Sequence, residues 1–137
     1  MGLILDSSVV IDAERRRDTV PQILRHVASV VGEQRVALSS VGLTELVHAA
    51  YRTDLLHVRE RRQNFIKQLL LDMEIVPYTK DTALLAGRID GEQRALGVTI
   101  PSVDLLIGVT ALELGYALAT VNVRHFKLIP GLNIIAL

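Results

Sequence analysis

No cysteine occurs among the 137 residues, which excludes disulfides, thiolate metal sites and cysteine nucleophiles together and suits a reducing compartment. Any bound metal must therefore be held by oxygen or by histidine, of which there are four. No excess of either charge exists, since 15 Lys and Arg balance 15 Asp and Glu, so there is no global basic field of the kind that marks a nucleic-acid binder. If a divalent cation occupied three acids, 12 acidic residues would remain against the 15 basic ones and the rest of the surface would lean positive. No apolar run reaches the roughly 18 residues needed to cross a bilayer, and no basic leader precedes the short apolar start. Repeats, low-complexity tracts and long charge blocks are also missing. The expectation is a soluble cytoplasmic protein without membrane contact, folded as a single domain over residues 1–137.

Half of the residues are apolar, enough for a sizeable core. A mean hydropathy of +0.35 with only 4% aromatics points to apolar surface reserved for another chain. Strand-like and helix-like patterns alternate throughout. The run Leu3, Ile4, Leu5 predicts a first buried strand. Pro21 leads an apolar stripe of Ile23, Leu24, Val27, Val30 and Val31 that Gly32 ends. Val36 to Leu38 predicts the second strand, and Ser39 or Ser40 caps the helix after it. A long amphipathic helix follows over 55–71, then a short strand at Ile75 and Val76. Thr79 caps a further helix that Gly97 ends. A helix from Pro101 or Ser102, apolar nearly all round, should lie centrally against the sheet. Ala117 to Thr120 and Asn133 to Ala136 complete the strands. Right-handed crossovers between such units give an α/β fold, a parallel sheet with helices on both faces and its strand ends on one rim.

The chemistry begins at Asp6, which directly follows the first strand. An unpartnered buried carboxylate costs several kcal/mol, so Asp6 must be solvated in a cleft, cap a helix or bind a cation. Carboxyl ends of strands in open α/β sheets are ligand sites. Asp104 opens the most apolar helix, immediately before Leu105, Leu106 and Ile107, and Glu45 occupies the early turns of the helix after the second strand. Each is also explicable as an acid favoured by the helix dipole. Together they can converge on one rim, where clustered carboxylates need a cation at their centre. Oxygen-only ligation points to Mg2+ or Mn2+. Asn122, just after the fourth strand, is a fourth candidate that brings an amide oxygen but no charge.

These residues in this order resemble the PIN-domain ribonucleases, specifically the VapC-type toxins of type II toxin-antitoxin pairs. The likeness runs through LILDSSVVI, TELVHAA and IPSVDLLIGVTALELGYALATVNVRHFKLIPGLNII, and so spans nearly the whole chain. It implies a three-layer α/β/α domain with a parallel sheet of four to five strands. It also implies a Mg2+- or Mn2+-dependent endoribonuclease with catalytic positions at Asp6, Glu45, Asp104 and Asn122. Asp6 and Asp104 would hold the metal, Glu45 would orient or deprotonate the attacking water, and Ser8 would orient Asp6. The products would carry 5'-phosphate and 3'-hydroxyl ends. The implied partners are an RNA substrate, a cognate VapB-type antitoxin and a second copy of the chain in a homodimer. Val47, His48, Ala49 and Ala50 lack the glycine common after the Glu-Leu pair, and the uncharged Asn122 leaves one or two ions open.

Arg15 and Arg16, with Arg17, could grip RNA phosphates, or be a solvated charge run. Arg59, Arg61, Arg62 and Lys67 form a second candidate patch, and His125 could contact substrate or simply pack. Asp12, Asp90 and Glu92 read as helix-surface charges or outer acids. Val10, Ile11 and Leu56 are spare aliphatics for an antitoxin groove. Two other enzyme classes share an aspartate after the first strand. Haloacid-dehalogenase-like phosphatases want a second aspartate where Ser8 stands, and receiver domains want an acidic pair before the first helix and a late lysine where Asn122 stands. The non-enzymatic alternative is a PIN-like module that binds RNA or a partner through a degenerate metal site.

Overall fold

The computed structural model describes residues 2–137. Its elements in chain order are β1 (Gly2–Leu5), α1 (Ser7–Arg15), α2 (Val20–Val31), β2 (Arg35–Ser39), α3 (Ser40–Tyr51), α4 (Leu56–Asp72), β3 (Glu74–Val76), α5 (Lys80–Ala95), α6 (Ser102–Leu114), β4 (Ala117–Thr120), α7 (Val123–Phe126) and β5 (Ile134–Ala136). The five strands form one parallel sheet in the order β3-β2-β1-β4-β5. The chain builds outward from β1 in one direction through β2 and β3, then returns to lay β4 and β5 on the other side. Between β1 and β4 the winding reverses, and a crevice opens at the carboxyl ends of these two strands.

Alternation along the strands divides the interior into two cores. Leu3 and Leu5 of β1, Leu38 of β2, and Ala117 and Ala119 of β4 face one layer, where they meet Val10 and Ala13 of α1, Ile23 and Val27 of α2, Leu46 of α3 and Leu69 of α4. Ile4, Ala37 and Leu118 face the other layer, against Ala86 and Ile89 of α5, Ile107 and Ala111 of α6, and Phe126. The small Ala117 and Ala119 let α1 approach β4 closely. The expected three-layer α/β/α architecture is therefore present, with β1 buried along its whole length.

Local signals act as expected at several boundaries. Ser39 caps α3 by accepting the Gly42 amide at 2.9 Å, which chooses between the two serines. Thr19 and Gln22 form a reciprocal capping box at the start of α2. Thr79 accepts the Thr82 amide at the start of α5. Helix α6, apolar on every side, is covered by the sheet, by α5 and by the segment carrying Phe126 and Ile129. Gly108 makes the last contact possible, because a Cβ there would run into Ile129 Cδ1 and press on Phe126.

Two expectations change. Val10 is fully buried in the first core, so it is no groove residue, whereas Leu56 is 65% exposed. Residues Val123–Phe126, read only as a motif, wind into the short helix α7 that turns His125 toward α6. No helix among the described residues is long and apolar enough to cross a membrane.

Candidate active site

Asp6 occupies the N-cap position of α1, yet its side chain caps nothing. Its Oδ2 accepts two hydroxyl hydrogen bonds instead, from Ser8 Oγ at 2.6 Å and from Thr120 Oγ1 at 2.8 Å. The Asp6 amide donates to the Ala119 carbonyl at 2.8 Å, which locks the residue to the end of β4. Of the three readings open at Asp6, helix capping is thus excluded. The residue is only 3% exposed, and Oδ1 has nothing closer than Ser7 Oγ at 3.5 Å. A buried carboxylate with one oxygen held by two donors and the other nearly bare is oriented for a ligand.

Asp104 lies in the first turn of α6, as its sequence position predicts. Its Oδ2 accepts a hydrogen bond from His125 Nδ1–H at 2.7 Å. That short contact sets the tautomer, so Nδ1 has no lone pair left for the Asn122 amide, which lies 3.3 Å away. The Asn122 side chain therefore lies beside His125 without bonding either carboxylate, and its backbone amide reaches Asp6 through the Thr120 hydroxyl. Burial pushes the Asp104 carboxyl above the usual carboxylate range, the His125 hydrogen bond opposes this, and the negative charge of Asp6 adds to the rise. The two carboxylates thus sense each other across the crevice between β1 and α6.

The sign of that shift has a consequence for stability. A carboxyl with a raised folded pKa contributes stability that is full below its unfolded value, about 3.9, and is lost as pH rises through the folded value. Asp104→Asn keeps an acceptor for His125 and removes the ionisation. In metal-free buffer the variant melts at a higher temperature than the parent at pH 7, and the advantage shrinks toward pH 4. A melting-temperature series over that range checks this, and an advantage that grows on acidification would refute it.

Glu45 is half-buried in the second turn of α3, without a salt bridge among the described residues. No three or more His, Cys, Asp or Glu side chains gather closely enough for a metal cage among those residues. The carboxylates that could meet a hard divalent cation at the reversal of the sheet are Asp6 and Asp104, close enough for the charge of one to act on the other. Glu45 stands on the neighbouring helix α3, which packs against both α1 and α6.

The remaining positions are dispersed. Arg15 lines a shallow groove with Ile11, Leu46 and Phe65, while Arg16 lines a cleft on the other flank of α1 and pairs with Asp18 at 3.1 Å. Arg61 and Arg62 are turned inward onto Glu14, each with a nitrogen 3.3 Å from one of its carboxylate oxygens. Arg59 donates to the Thr53 carbonyl and lies over the Tyr51 ring. The α4 arginines are thus committed to intramolecular partners. Asp90 and Glu92 pair with Arg94 and Arg88 along α5, so they are helix-surface charges.

Two residues gain roles that their sequence position did not disclose. Thr120 ends β4, donates to Asp6 and accepts the Asn122 amide at 2.9 Å, tying the two strand ends together. Its signal was present, because a hydroxyl ending a strand beside the acidic one is placed to hold that acid. Glu14 is 5% exposed and anchors α4 to α1. Nothing local in its sequence marks it.

Comparison with known proteins agrees with the fold. Residues 3–132 match the PIN domain family. Ribonuclease VapC1 of Rickettsia felis is 30% identical over 135 residues, covering 98% of this chain and 96% of that one. The structure of VapBC2 from Rickettsia felis bound to a DNA fragment from their promoter superposes with a TM-score of 0.86 at 23% identity, covering 100% of this chain and 99% of that one. VapBC-5 from Mycobacterium tuberculosis, a member of the VapBC family of toxin-antitoxin systems, superposes with a TM-score of 0.76 at 22% identity and covers 99% and 98%. With the match running through both strand ends and α6, the chain belongs to the PIN-domain family, in its VapC branch.

Proposed function

We propose that this protein is a divalent-metal-dependent endoribonuclease, the toxin of a toxin-antitoxin pair. The observation that carries the reading is the oriented, buried Asp6 facing the burial-raised Asp104 at the point where the sheet reverses. The name of the Rickettsia felis relative, a ribonuclease, agrees in activity. Mg2+ or Mn2+ would be held by Asp6 and Asp104, and when bound it would polarise the scissile phosphate and acidify a water.

The side chains of this chain do the rest. Ser8 and Thr120 keep the Asp6 carboxylate from rotating, and His125 does the same for Asp104, so neither has to be reoriented at the moment of reaction. Glu45, uncommitted to any ion pair among the described residues, takes the proton from the attacking water. Attack at phosphorus in line with the leaving 3'-oxygen gives 5'-phosphate and 3'-hydroxyl ends with no covalent intermediate. Two carboxylates balance one divalent ion, and Asn122 adds no charge, so one ion per chain is the stoichiometry.

Apolar surface along α3 and the start of α4, with Val47, Tyr51, Leu55 and Leu56 all more than a third exposed, supports partners that cover it. We assign these partners as a VapB-type antitoxin and a second copy of the chain, in keeping with the toxin-antitoxin membership of the Mycobacterium tuberculosis neighbour. Access to RNA places the activity in the cytoplasm.

The test is cleavage of total RNA by antitoxin-free protein with Mg2+ or Mn2+, with product ends mapped. Discrete cuts that EDTA abolishes, bearing 5'-phosphates, are the expected result. RNA binding without cleavage by either metal would overturn the enzymatic reading.

A further inference from the structure

We propose that the cleft between α1 and α2 is a nucleobase subsite, which takes one unstacked base of the RNA beside the scissile bond and sets the cleavage preference there. The inference rests on the ribonuclease reading for its substrate and on separate residues for its chemistry.

The cleft has a volume of about 470 Å³, within the range of about 300 to 1,000 Å³ typical of small-ligand sites. Its floor is apolar, made by Val9, Val121 and Leu137. Each floor residue is tied to the candidate active site. Val9 follows Ser8, which holds Asp6; Val121 lies between Thr120 and Asn122; and the Leu137 amide donates to the Thr120 carbonyl at 3.0 Å. A base entering here would therefore belong to a nucleotide neighbouring the phosphate at Asp6.

The wall is polar and mixed in sign. Asp12 contributes a half-buried carboxylate free of ion pairs among the described residues. Gln22 contributes its amide nitrogen, because its oxygen already accepts the Thr19 amide at 2.8 Å. His26 adds an imidazole whose ring can meet a base face or edge. Arg16 directs Nε and Nη2 to Asp18, so its charge is largely answered. A phosphate would meet the unpaired Asp12 carboxylate and an Arg16 already paired with Asp18, a poor exchange for its hydration. A base meets an apolar floor for its face, with an acceptor and donors for its edge, the arrangement by which single-stranded RNA is read.

The free acceptor sets the preference. Asp12 favours bases whose pairing edge presents an amino group, namely adenine, cytosine and guanine. Uracil offers only its N3–H, flanked by two carbonyl oxygens that repel the carboxylate, and is the least favoured of the four.

The test uses the full chain, freed of antitoxin, on a random-sequence single-stranded RNA pool with Mn2+, with fragment ends sequenced for the parent and for Asp12→Asn. The parent is expected to avoid uracil at one position flanking the cut. Asp12→Asn is expected to shift the uracil ratio at that position by about tenfold, the discrimination one good base-edge contact supplies. Because the readout is a ratio among cuts by one preparation, a folding defect lowers every cut and leaves it unchanged. A second arm measures anisotropy of labelled rA10, rC10 and rU10 on Asp6→Asn protein with and without Asp12→Asn. Weaker rU10 binding that the second substitution equalises supports the subsite even if the parent cuts no RNA, in which case only the nuclease reading fails. Identical fragment-end preferences with equal homopolymer binding overturn the subsite. The same result with weakened antitoxin binding would assign the cleft to a protein partner instead.

Discussion

Asp6→Asn lowers the rate of RNA hydrolysis by about a thousandfold while leaving the melting temperature within a few degrees. The size follows from what the carboxylate does. An asparagine oxygen can still accept the hydroxyls of Ser8 and Thr120, but the charge that would hold the cation is gone, and a catalytic metal contributes several kcal/mol to the transition state. Removing only the support is milder. Ser8→Ala and Thr120→Val each cost about 10- to 100-fold, because the carboxylate stays charged and loses orientation alone. Single-turnover cleavage of one mapped RNA site by the three variants ranks these effects. Equal losses in all three would mean that Asp6 is not the group that binds the metal.

Glu14→Ala destabilises the fold by about 3 kcal/mol, the largest stability effect expected of any charged residue here. Glu14 is 5% exposed, and its removal leaves Arg61 and Arg62 aimed at an empty site under α1. Breaking a buried ion pair from one side costs about 3 to 5 kcal/mol, and the lower end applies because Arg61 keeps 36% of its side chain in solvent. For a chain of this length the change amounts to roughly 10 °C in melting temperature. Glu14→Leu combined with Arg62→Leu recovers much of the loss, since only Arg61, the more exposed of the two arginines, is then left without its carboxylate. Thermal melts of the single and double variants measure the coupling, and additive losses would show that the pair is energetically independent.

The same network explains why much of the fold, but less of the site, could be read from residues alone. Strands β1, β2 and β4 are short apolar runs closed by Asp6, Ser39 and Thr120, and α2, α3, α5 and α6 carry caps or glycine stops that act locally. Helix and strand boundaries therefore follow from neighbours in sequence. Asp6 and Asp104 are legible for a related reason, since each is a charge set against an apolar run that its own neighbours define. What their neighbours cannot define is distance across the sheet. The Thr120 bond to Asp6 depends on β1 and β4 being adjacent, a pairing across 114 residues, whereas Ser8 reaches the same oxygen from two residues away. The inward turn of Arg61 and Arg62 depends on Glu14, 47 residues from Arg61, so a helix face that looks like an RNA patch is an internal clamp. Asn122 is a fourth catalytic position by the resemblance, and its side chain lies 3.3 Å from the His125 nitrogen that holds Asp104, a neighbour that only the folded chain discloses.

We propose that Asp6 and Asp104 hold a divalent cation between β1 and α6. Titration of Mn2+ into the purified chain, with free ion followed by its electron paramagnetic resonance signal, tests this most directly and needs no RNA. The account predicts one ion bound per chain by the parent and loss of that binding in both Asp6→Asn and Asp104→Asn. Undiminished Mn2+ binding by either variant would contradict it.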